Sequence, residues 1–229
     1  MAALRILLVS THFPPAARTG SHRPYHLAKE LAVHGHSVHV LTTRLPGLMR
    51  YETMAPGITT VRAEPPLPPS GATAKGAMAT ARRLMEETCF PMDARNRPAI
   101  KPDELHDLIG PQDVVVATGP GWSTFEIGSE LSTHWSSTYL VDYRDPWNVV
   151  LPEVGLRAVT WYGDGATGAL RKLRMRNREK RWAGRAHGLT TVSEPLLENI
   201  RACGIDRPGL VVPNGIPLHR TPAPPPSSG

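Results

Sequence analysis

The sequence is poor in the residues and motifs on which several protein classes depend. Its two cysteines, Cys89 and Cys203, are too few for a disulfide framework and favour a reducing compartment, the cytosol. Apolar runs of about 18 residues, the length that a membrane span needs, do not occur. The first residues lack the apolar core and the cleavage site of a signal peptide. We therefore expect a cytoplasmic protein without a membrane-spanning helix.

Several catalytic and metal-binding motifs are also missing. The sequence has no Gly-x-Ser-x-Gly elbow, P-loop, Cys-x-x-Cys pair or EF-hand loop, which argues against hydrolases, nucleotidases and small metal modules. His22 and His26 are four residues apart and could share one face of a helix. No glutamate completes the zinc-binding pattern and no third ligand is evident, so we expect no metal site.

The positive charge of the chain is concentrated in one segment. The net charge is +6. Residues 171–185 contain eight arginines and lysines against one acidic residue, Glu179, which gives +7 and leaves −1 for the rest. A protein that is nearly neutral outside one segment is a poor candidate for a general polycation, and we expect no nucleic-acid partner.

Short apolar runs alternate with segments of helical pattern along the chain. Residues 4–9 are apolar and rich in branched side chains, as in a strand buried on both faces. A helix is predicted from Ser21, a suitable N-cap, to Gly35, and residues 37–42 resume as a strand. Further strands are predicted at residues 58–62, 113–118, 137–142, 188–192 and 210–213, and further helices at 74–87, 102–109, 121–133, 170–186 and 193–204.

This alternation predicts an α/β fold with a doubly wound, mostly parallel, Rossmann-like sheet of six or seven strands. We expect one domain over residues 1–217. Residues 44–57 are loop-like, and the Pro- and Ser-rich tail at residues 218–229 should be disordered because it cannot build a core. Ligands of such sheets bind beyond the carboxyl ends of the strands, so candidate site residues are sought there.

The loop after the first strand is the first candidate site. It contains no glycine between Thr11 and Thr19, so it lacks the Gly-x-Gly-x-x-Gly fingerprint and argues against an NAD-binding oxidoreductase domain. His12, at the end of the first strand, is placed to touch a ligand. Gly20 and Ser21 begin the helix and could present backbone N–H groups to a phosphate or a sugar. The alternative is an ordinary capped helix.

Three charged residues, Asp142, Arg144 and Asp145, follow another predicted strand. Carboxylates at this edge can accept hydrogen bonds from sugar hydroxyls or take up a proton, and an arginine can hold a phosphate. The alternative is a structural ion pair that fixes the turn before Pro146. Both interpretations stay open at the level of the sequence.

The basic segment forms a stripe on its predicted helix. At 100° per residue, one stripe contains Arg171, Arg174, Arg178, Arg181 and Arg185. Such a stripe could lie on anionic lipid, where each charge contributes about 1 kcal/mol. Leu170 and Leu173 fall on one side of it and Met175 and Trp182 on the other, which is not a clean amphipathic pattern. A solvated helix face is the alternative.

Four stretches together resemble family 4 glycosyltransferases. They are residues 5–15 with Gly20 and Ser21, residues 141–147, residues 179–194 and residues 212–216. The first resembles the opening strand, Phe-Pro-Pro stretch and glycine of the family. The second is similar to the Asp-aromatic-Arg-Asp-Pro-Trp segment of a bacterial polysaccharide-forming branch. The last two resemble the final helix and strand of the N-terminal domain and the hinge that follows it.

The resemblance implies the GT-B architecture of two facing Rossmann-like domains, of which this chain is the N-terminal, acceptor-side half. It implies metal-independent transfer, with no cofactor and with a UDP- or GDP-sugar as co-substrate. Gly20 and Ser21 would lie near the donor phosphates, and Thr118 and Gly119 would line the cleft. Asp142, Arg144 and Asp145 would face acceptor or sugar hydroxyls. Asn214 and Gly215 would lie at the hinge.

Two departures from the family pattern shape the expected function. The loop at residues 119–123 has no histidine, and the donor domain with its paired glutamates has no counterpart in the sequence. We expect the acceptor-binding half of a hexosyltransferase-like enzyme that needs a separate donor domain. Its acceptor would be a glycan or a lipid-linked glycan at the inner face of the cell membrane. The alternative is a non-catalytic binding or interaction module on the same scaffold.

Overall fold

A computed structural model describes residues 2–16, 18–64, 98–119, 122–145 and 165–215. Within these ranges the chain forms eight strands: β1 (Arg5–Val9), β2 (Ser37–Thr43), β3 (Tyr51–Ala55), β4 (Ile58–Ala63), β5 (Val114–Thr118), β6 (Thr138–Tyr143), β7 (Gly188–Thr191) and β8 (Gly209–Val211). The α-helices in the same ranges are α1 (His22–Val33), α2 (Pro102–Ile109), α3 (Trp122–Trp135), α4 (Gly165–Ala183) and α5 (Glu194–Ala202). A 3-10 turn, Thr19–Ser21, precedes α1.

All eight strands belong to one sheet with the order β3-β4-β2-β1-β5-β6-β7-β8. Each neighbouring pair is parallel except β3 and β4. The strand order runs outward in both directions from β1 and β5, which confirms the predicted doubly wound sheet. In such a sheet the crevice outside the carboxyl ends of the strands at this reversal is the expected ligand site.

The apolar run of β1 forms the centre of the protein. Because successive side chains of a strand point to opposite faces, Leu7 and Val9 join the core cluster beneath α2 to α5, whereas Ile6 and Leu8 join the cluster beneath α1, which includes Ala28. Both faces of β1 are therefore covered. This explains why its sequence is continuously apolar rather than alternating.

Helix α3 lies unusually close to the sheet because of Gly128. A Cβ atom at this position would lie 2.8 Å from the Cβ of Ala117 on β5 and 2.9 Å from the ring of Tyr139 on β6. The hydroxyl of Tyr139 in turn donates to the carbonyl of Phe125, at 2.9 Å. This contact fixes β5 and β6, whose carboxyl ends carry Thr118 and Asp142.

The prediction of a loop over residues 44–57 was wrong. The segment contains β3, which pairs antiparallel with β4 and has a register shift between Thr53 and Ala55. Its residues are exposed or half-buried, as expected of an edge strand, so it lacks the apolar run that reveals the buried strands. The sheet accordingly has eight strands rather than six or seven. The predictions for residues 74–87 and 218–229 lie outside the described residues.

The predicted N-cap role of Ser21 was also wrong. Ser21 precedes α1, but its hydroxyl forms no cap to the helix. It is directed toward the carbonyls of Ala16 and Arg18, at 2.9 and 2.6 Å, which closes the loop before the helix. Of the described helices, none is both long enough and apolar enough to cross a membrane.

Candidate functional site at the carboxyl edge of the sheet

Asp142, at the carboxyl end of β6, is the centre of a buried hydrogen-bond network. Thr118 on β5 and Thr190 on β7 are its partners in strand register, and their hydroxyls donate to its two carboxylate oxygens, each at 2.7 Å. Arg23 on α1 donates from Nε to Oδ2 at 3.0 Å and from Nη2 to Oδ1 at 2.8 Å. The side chains of Arg23 and Asp142 are 13% and 2% exposed.

These contacts determine what Asp142 can do. Both carboxylate oxygens are occupied by donors of the protein itself, and two of these donors are nitrogens of one guanidinium. The geometry favours a structural role over a proton acceptor or a partner for sugar hydroxyls, but the ion pair joins Asp142 to Arg23 on α1 and is not the expected pair that fixes the turn before Pro146. Asp142 lies at the end of a strand, as predicted. The structure changes only the role that we expected of it.

Arg23 and Thr190 are the members of this network that the sequence reasoning missed. On the helical pattern Arg23 is one charge among the polar residues of α1. Its importance appears only when α1 is placed over the end of β6. The remaining nitrogen of Arg23, Nη1, donates to the carbonyl of Val212 at 2.8 Å and to the side-chain oxygen of Asn214 at 3.3 Å. Gly215 follows Asn214 and faces open space.

Arg144 connects two loops at the same edge. Its Nη1 donates to the carbonyls of Gly20 and Gly119, at 2.7 and 2.8 Å. The Nε atom of Arg144 is buried and has no hydrogen-bond partner among the described residues. Burial lowers the pKa of this guanidinium, while Asp142 and then Asp145 act in the opposite direction, and an arginine remains charged in proteins. The edge that carries Nε can bind a carboxylate or a phosphate in two-pronged fashion.

The other predicted binding residues divide into buried supports and accessible groups. Thr118 and Ser21 are buried. The hydroxyl of Thr118 donates to Asp142, and the hydroxyl of Ser21 donates within the loop before α1. The amide of Gly119 donates to the carbonyl of Asp142 at 3.1 Å. Asp145, one residue past Arg144, is exposed and remains available to a ligand.

His12 lies half-buried after the end of β1. Burial is the main cause that lowers its pKa below the ordinary value, and the charges of Arg18 and Arg144 act in the same direction. The imidazole is therefore neutral at pH 7, and a neutral imidazole has one nitrogen that can accept a hydrogen bond or a proton. This state suits a contact with a hydroxyl group.

Helix α4 carries the predicted basic stripe. Met175 and Trp182 are buried against the sheet, whereas Leu170 and Leu173 are 45% and 56% exposed. The stripe arginines range from exposed to half-buried: Arg174, Arg181 and Arg185 are exposed and Arg178 is half-buried. The side chain of Arg171 lies outside the described part. The outward face of α4 thus combines exposed leucines with arginines.

In the part of the chain that the structure describes, no group of three or more His, Cys, Asp or Glu side chains is arranged to hold a metal ion. His22 is exposed and His26 is half-buried on α1. Neither residue belongs to the network around Asp142.

A doubly wound, mostly parallel sheet of this kind is the fold of one half of a GT-B glycosyltransferase. A family model of the "Glycosyl transferase 4-like domain" matches residues 19–215. The chain belongs to this family, which confirms the resemblance found in the sequence. No curated protein matches the chain.

Solved structures support the same fold. Sucrose-phosphate synthase from Thermosynechococcus elongatus aligns over 94% of this chain and 49% of its own, with 17% identity and a TM-score of 0.60. The catalytic domain of starch synthase IV from Arabidopsis thaliana, bound to ADP and acarbose, aligns over 94% and 52%, with 13% identity and a TM-score of 0.52. UGT89C1 from Arabidopsis thaliana, complexed with UDP-L-rhamnose, aligns over 95% and 50%, with 12% identity and a TM-score of 0.52. The chain spans about half the length of these structures.

Proposed function

We propose that the chain is the acceptor-binding half of a hexosyltransferase that transfers a sugar from a nucleotide sugar to a glycan or a lipid-linked acceptor. One observation carries the proposal. Arg144 is held between the loops after β1 and β5 by the carbonyls of Gly20 and Gly119, and its buried Nε is unpaired in the described residues. A phosphate of a lipid-linked acceptor is the chemical group that this edge of the guanidinium fits best.

Neighbouring groups have complementary tasks in this proposal. The exposed carboxylate of Asp145 accepts hydrogen bonds from hydroxyls of the acceptor sugar. Neutral His12 accepts a hydrogen bond from a further hydroxyl of the acceptor. Asp142 contacts no substrate and instead keeps α1, β5, β6 and β7 in place around the site, through the contacts described above.

The donor in this proposal is a UDP- or GDP-sugar, held mainly by a second domain that faces this edge. The support is the presence of UDP-L-rhamnose and ADP in structures of the same fold that are about twice as long. The second domain is supplied by a separate chain or by further sequence. We therefore expect little turnover of a nucleotide sugar by residues 1–229 alone.

A second candidate function is a non-catalytic binding module. It is favoured by the complete occupation of Asp142, one of the two carboxylates that the sequence offered as proton acceptors. Such a module would use the same scaffold for recognition of another ligand, without sugar transfer.

A titration of the purified chain distinguishes these candidates. The acceptor probe is citronellyl diphospho-N-acetylglucosamine, and the donor probes are UDP-N-acetylglucosamine and GDP-mannose. Because the acceptor-side groups are present in this chain, we expect the acceptor probe to bind at least about tenfold more tightly than either donor, a difference of about 1.4 kcal/mol. Tighter binding of a donor would contradict the acceptor-side assignment, and no binding of any probe would favour the non-catalytic module.

We also propose that the outward face of α4 lies on the inner, anionic face of the cell membrane, where a lipid-linked acceptor is found. Exposed Leu170 and Leu173 beside Arg174 and Arg181 support this proposal, because they combine apolar contact with attraction to anionic lipid.

The membrane proposal is tested by sedimentation with phosphatidylglycerol-containing vesicles at low salt. Replacing Arg174 and Arg181 by glutamine should weaken binding about 30-fold, since each charge contributes about 1 kcal/mol. In the matched control variant, glutamine replaces Lys29 and Arg201, which are exposed on α1 and α5. This variant should bind the vesicles like the wild type. Equal loss in both variants would indicate a general charge effect and would remove this role from α4.

A further inference from the structure

Arg23 uses all three of its guanidinium nitrogens in two different directions. Nε and Nη2 form the two-pronged pair with Asp142. Nη1 points the other way, toward the carbonyl of Val212 at 2.8 Å and the side chain of Asn214 at 3.3 Å. A longer contact, 3.5 Å, joins the same nitrogen to the carbonyl of Pro213. One side chain thus spans from the buried end of β6 to the segment that follows β8.

That segment, residues 212–214, has few other attachments. All three residues are exposed. The amide of Val212 donates to the carbonyl of Thr191 at 2.7 Å, as the last rung between β7 and the chain after β8. Within the described ranges, the hydrogen bonds that reach Pro213 and Asn214 come from Arg23. The segment is therefore anchored at one end by the sheet and along its length by one cation.

The cation itself is rigidly held. Asp142 receives Thr118 and Thr190 in addition to Arg23, and its side chain is 2% exposed. A planar guanidinium paired on one edge cannot rotate freely, so its opposite nitrogen has a fixed direction. The position of Asn214 is thereby coupled to the strand register of β5, β6 and β7.

We propose that Arg23 is a positioning residue that orders residues 212–214 along the carboxyl edge of the sheet. It acts by transmitting the fixed orientation of Asp142 to the backbone after β8. In the proposed glycosyltransferase this places Asn214 at the border of the acceptor site, beside the start of α1. The place of Asn214 at an acceptor site rests on the proposed function. The ordering of residues 212–214 by Arg23 does not, and it can be measured without any ligand.

Hydrogen exchange of two amides on the β7–β8 pair provides the test. The amide of Val212 reports on the segment, and the amide of Leu189, which donates to the carbonyl of Pro208 at 2.8 Å, reports on the far end of the same pair. The Arg23→Lys variant keeps a positive charge beside Asp142 but offers one nitrogen, which cannot face both directions. We expect exchange at Val212 to rise about tenfold relative to Leu189, the equivalent of about 1.4 kcal/mol.

Two further variants keep the test decisive. Tyr139→Phe removes a buried hydrogen bond to the carbonyl of Phe125, outside the Asp142 network, so it should lower the melting temperature and leave the Val212 to Leu189 ratio unchanged. Asn214→Ala, at an exposed position, should raise the ratio by less than Arg23→Lys. An unchanged ratio in Arg23→Lys, or an equal rise in Tyr139→Phe, would overturn the proposal, because either result assigns Arg23 a purely global role in stability.

Discussion

Replacing Asp142 by asparagine is expected to lower the free energy of unfolding by about 3–5 kcal/mol, the typical cost of breaking a buried ion pair from one side. The substitution leaves the guanidinium of Arg23 without its counter-charge at a site where the side chain is 13% exposed. It also turns one acceptor oxygen into an NH2 group, which faces an N–H group of Arg23 whichever of the two oxygens is replaced. A buried donor opposite a donor leaves both unsatisfied.

Urea unfolding of the variant measures this effect, and Asp145→Asn is the matched control. Asp145 is an aspartate three residues further on and is exposed, so its substitution should change stability by no more than about 0.5 kcal/mol. A loss below about 1 kcal/mol in Asp142→Asn would contradict the structural role of the network. It would reopen the interpretation of Asp142 as a substrate-facing carboxylate.

Replacing Arg144 by glutamine is expected to weaken binding of the acceptor probe by about 10- to 150-fold. The estimate follows from a hydrogen bond to a charged group, which contributes about 1.5–3 kcal/mol. Glutamine removes the charge, and its side chain is two bonds shorter, so its amide does not reach the carbonyls that Nη1 contacts. The expected loss therefore combines the missing charge at the site with the missing link between the two loops.

Calorimetric titration of the variant with citronellyl diphospho-N-acetylglucosamine measures the loss. Arg144→Lys keeps the charge but not the planar two-pronged edge, so it should give an intermediate affinity. Arg185→Gln, an exposed position at the end of the basic segment, controls for the change in net charge. Wild-type affinity in Arg144→Gln would show that the probe binds elsewhere.

The elements of the fold that the sequence predicted are those whose burial leaves a pattern. Strands β1 and β5 are covered on both faces, so each contains a run of consecutive apolar residues and its position could be predicted to within a few residues. Strand β3 lies at the edge of the sheet, and its Tyr-Glu-Thr-Met-Ala sequence carries no such run. An edge strand is defined by the partner that it finds, and the partner is not visible in a single sequence.

The place of several candidate residues at one edge of the sheet could be inferred from the sequence, whereas their contacts could not. The carboxyl ends of parallel strands meet at one edge, so Gly20, Gly119 and Arg144 could be assigned to one site from their places in the sequence, and hydrogen bonds join them. The role of Asp142 depends on strand register and burial, which place Thr118 and Thr190 on either side of it. Neither quantity can be obtained from composition or periodicity.

The basic segment shows what packing adds to a charge pattern. From the sequence, Leu170 and Leu173 on one side of the stripe and Met175 and Trp182 on the other argue against a membrane-facing helix. In the structure the two pairs differ in exposure: Met175 and Trp182 are buried in the core, whereas the leucines are exposed. The outward face of α4 is therefore more suitable for a lipid surface than the sequence alone indicates.

The most direct test of the acceptor-side assignment is to locate the bound acceptor probe on the chain by amide chemical-shift mapping. If the carboxyl edge of the sheet is the acceptor site, the largest shifts will occur at Gly119, Arg144 and Asp145, and UDP-N-acetylglucosamine at the same concentration will leave these amides unchanged. Shifts confined to α4, or equal shifts at the carboxyl edge with the nucleotide sugar, would contradict it.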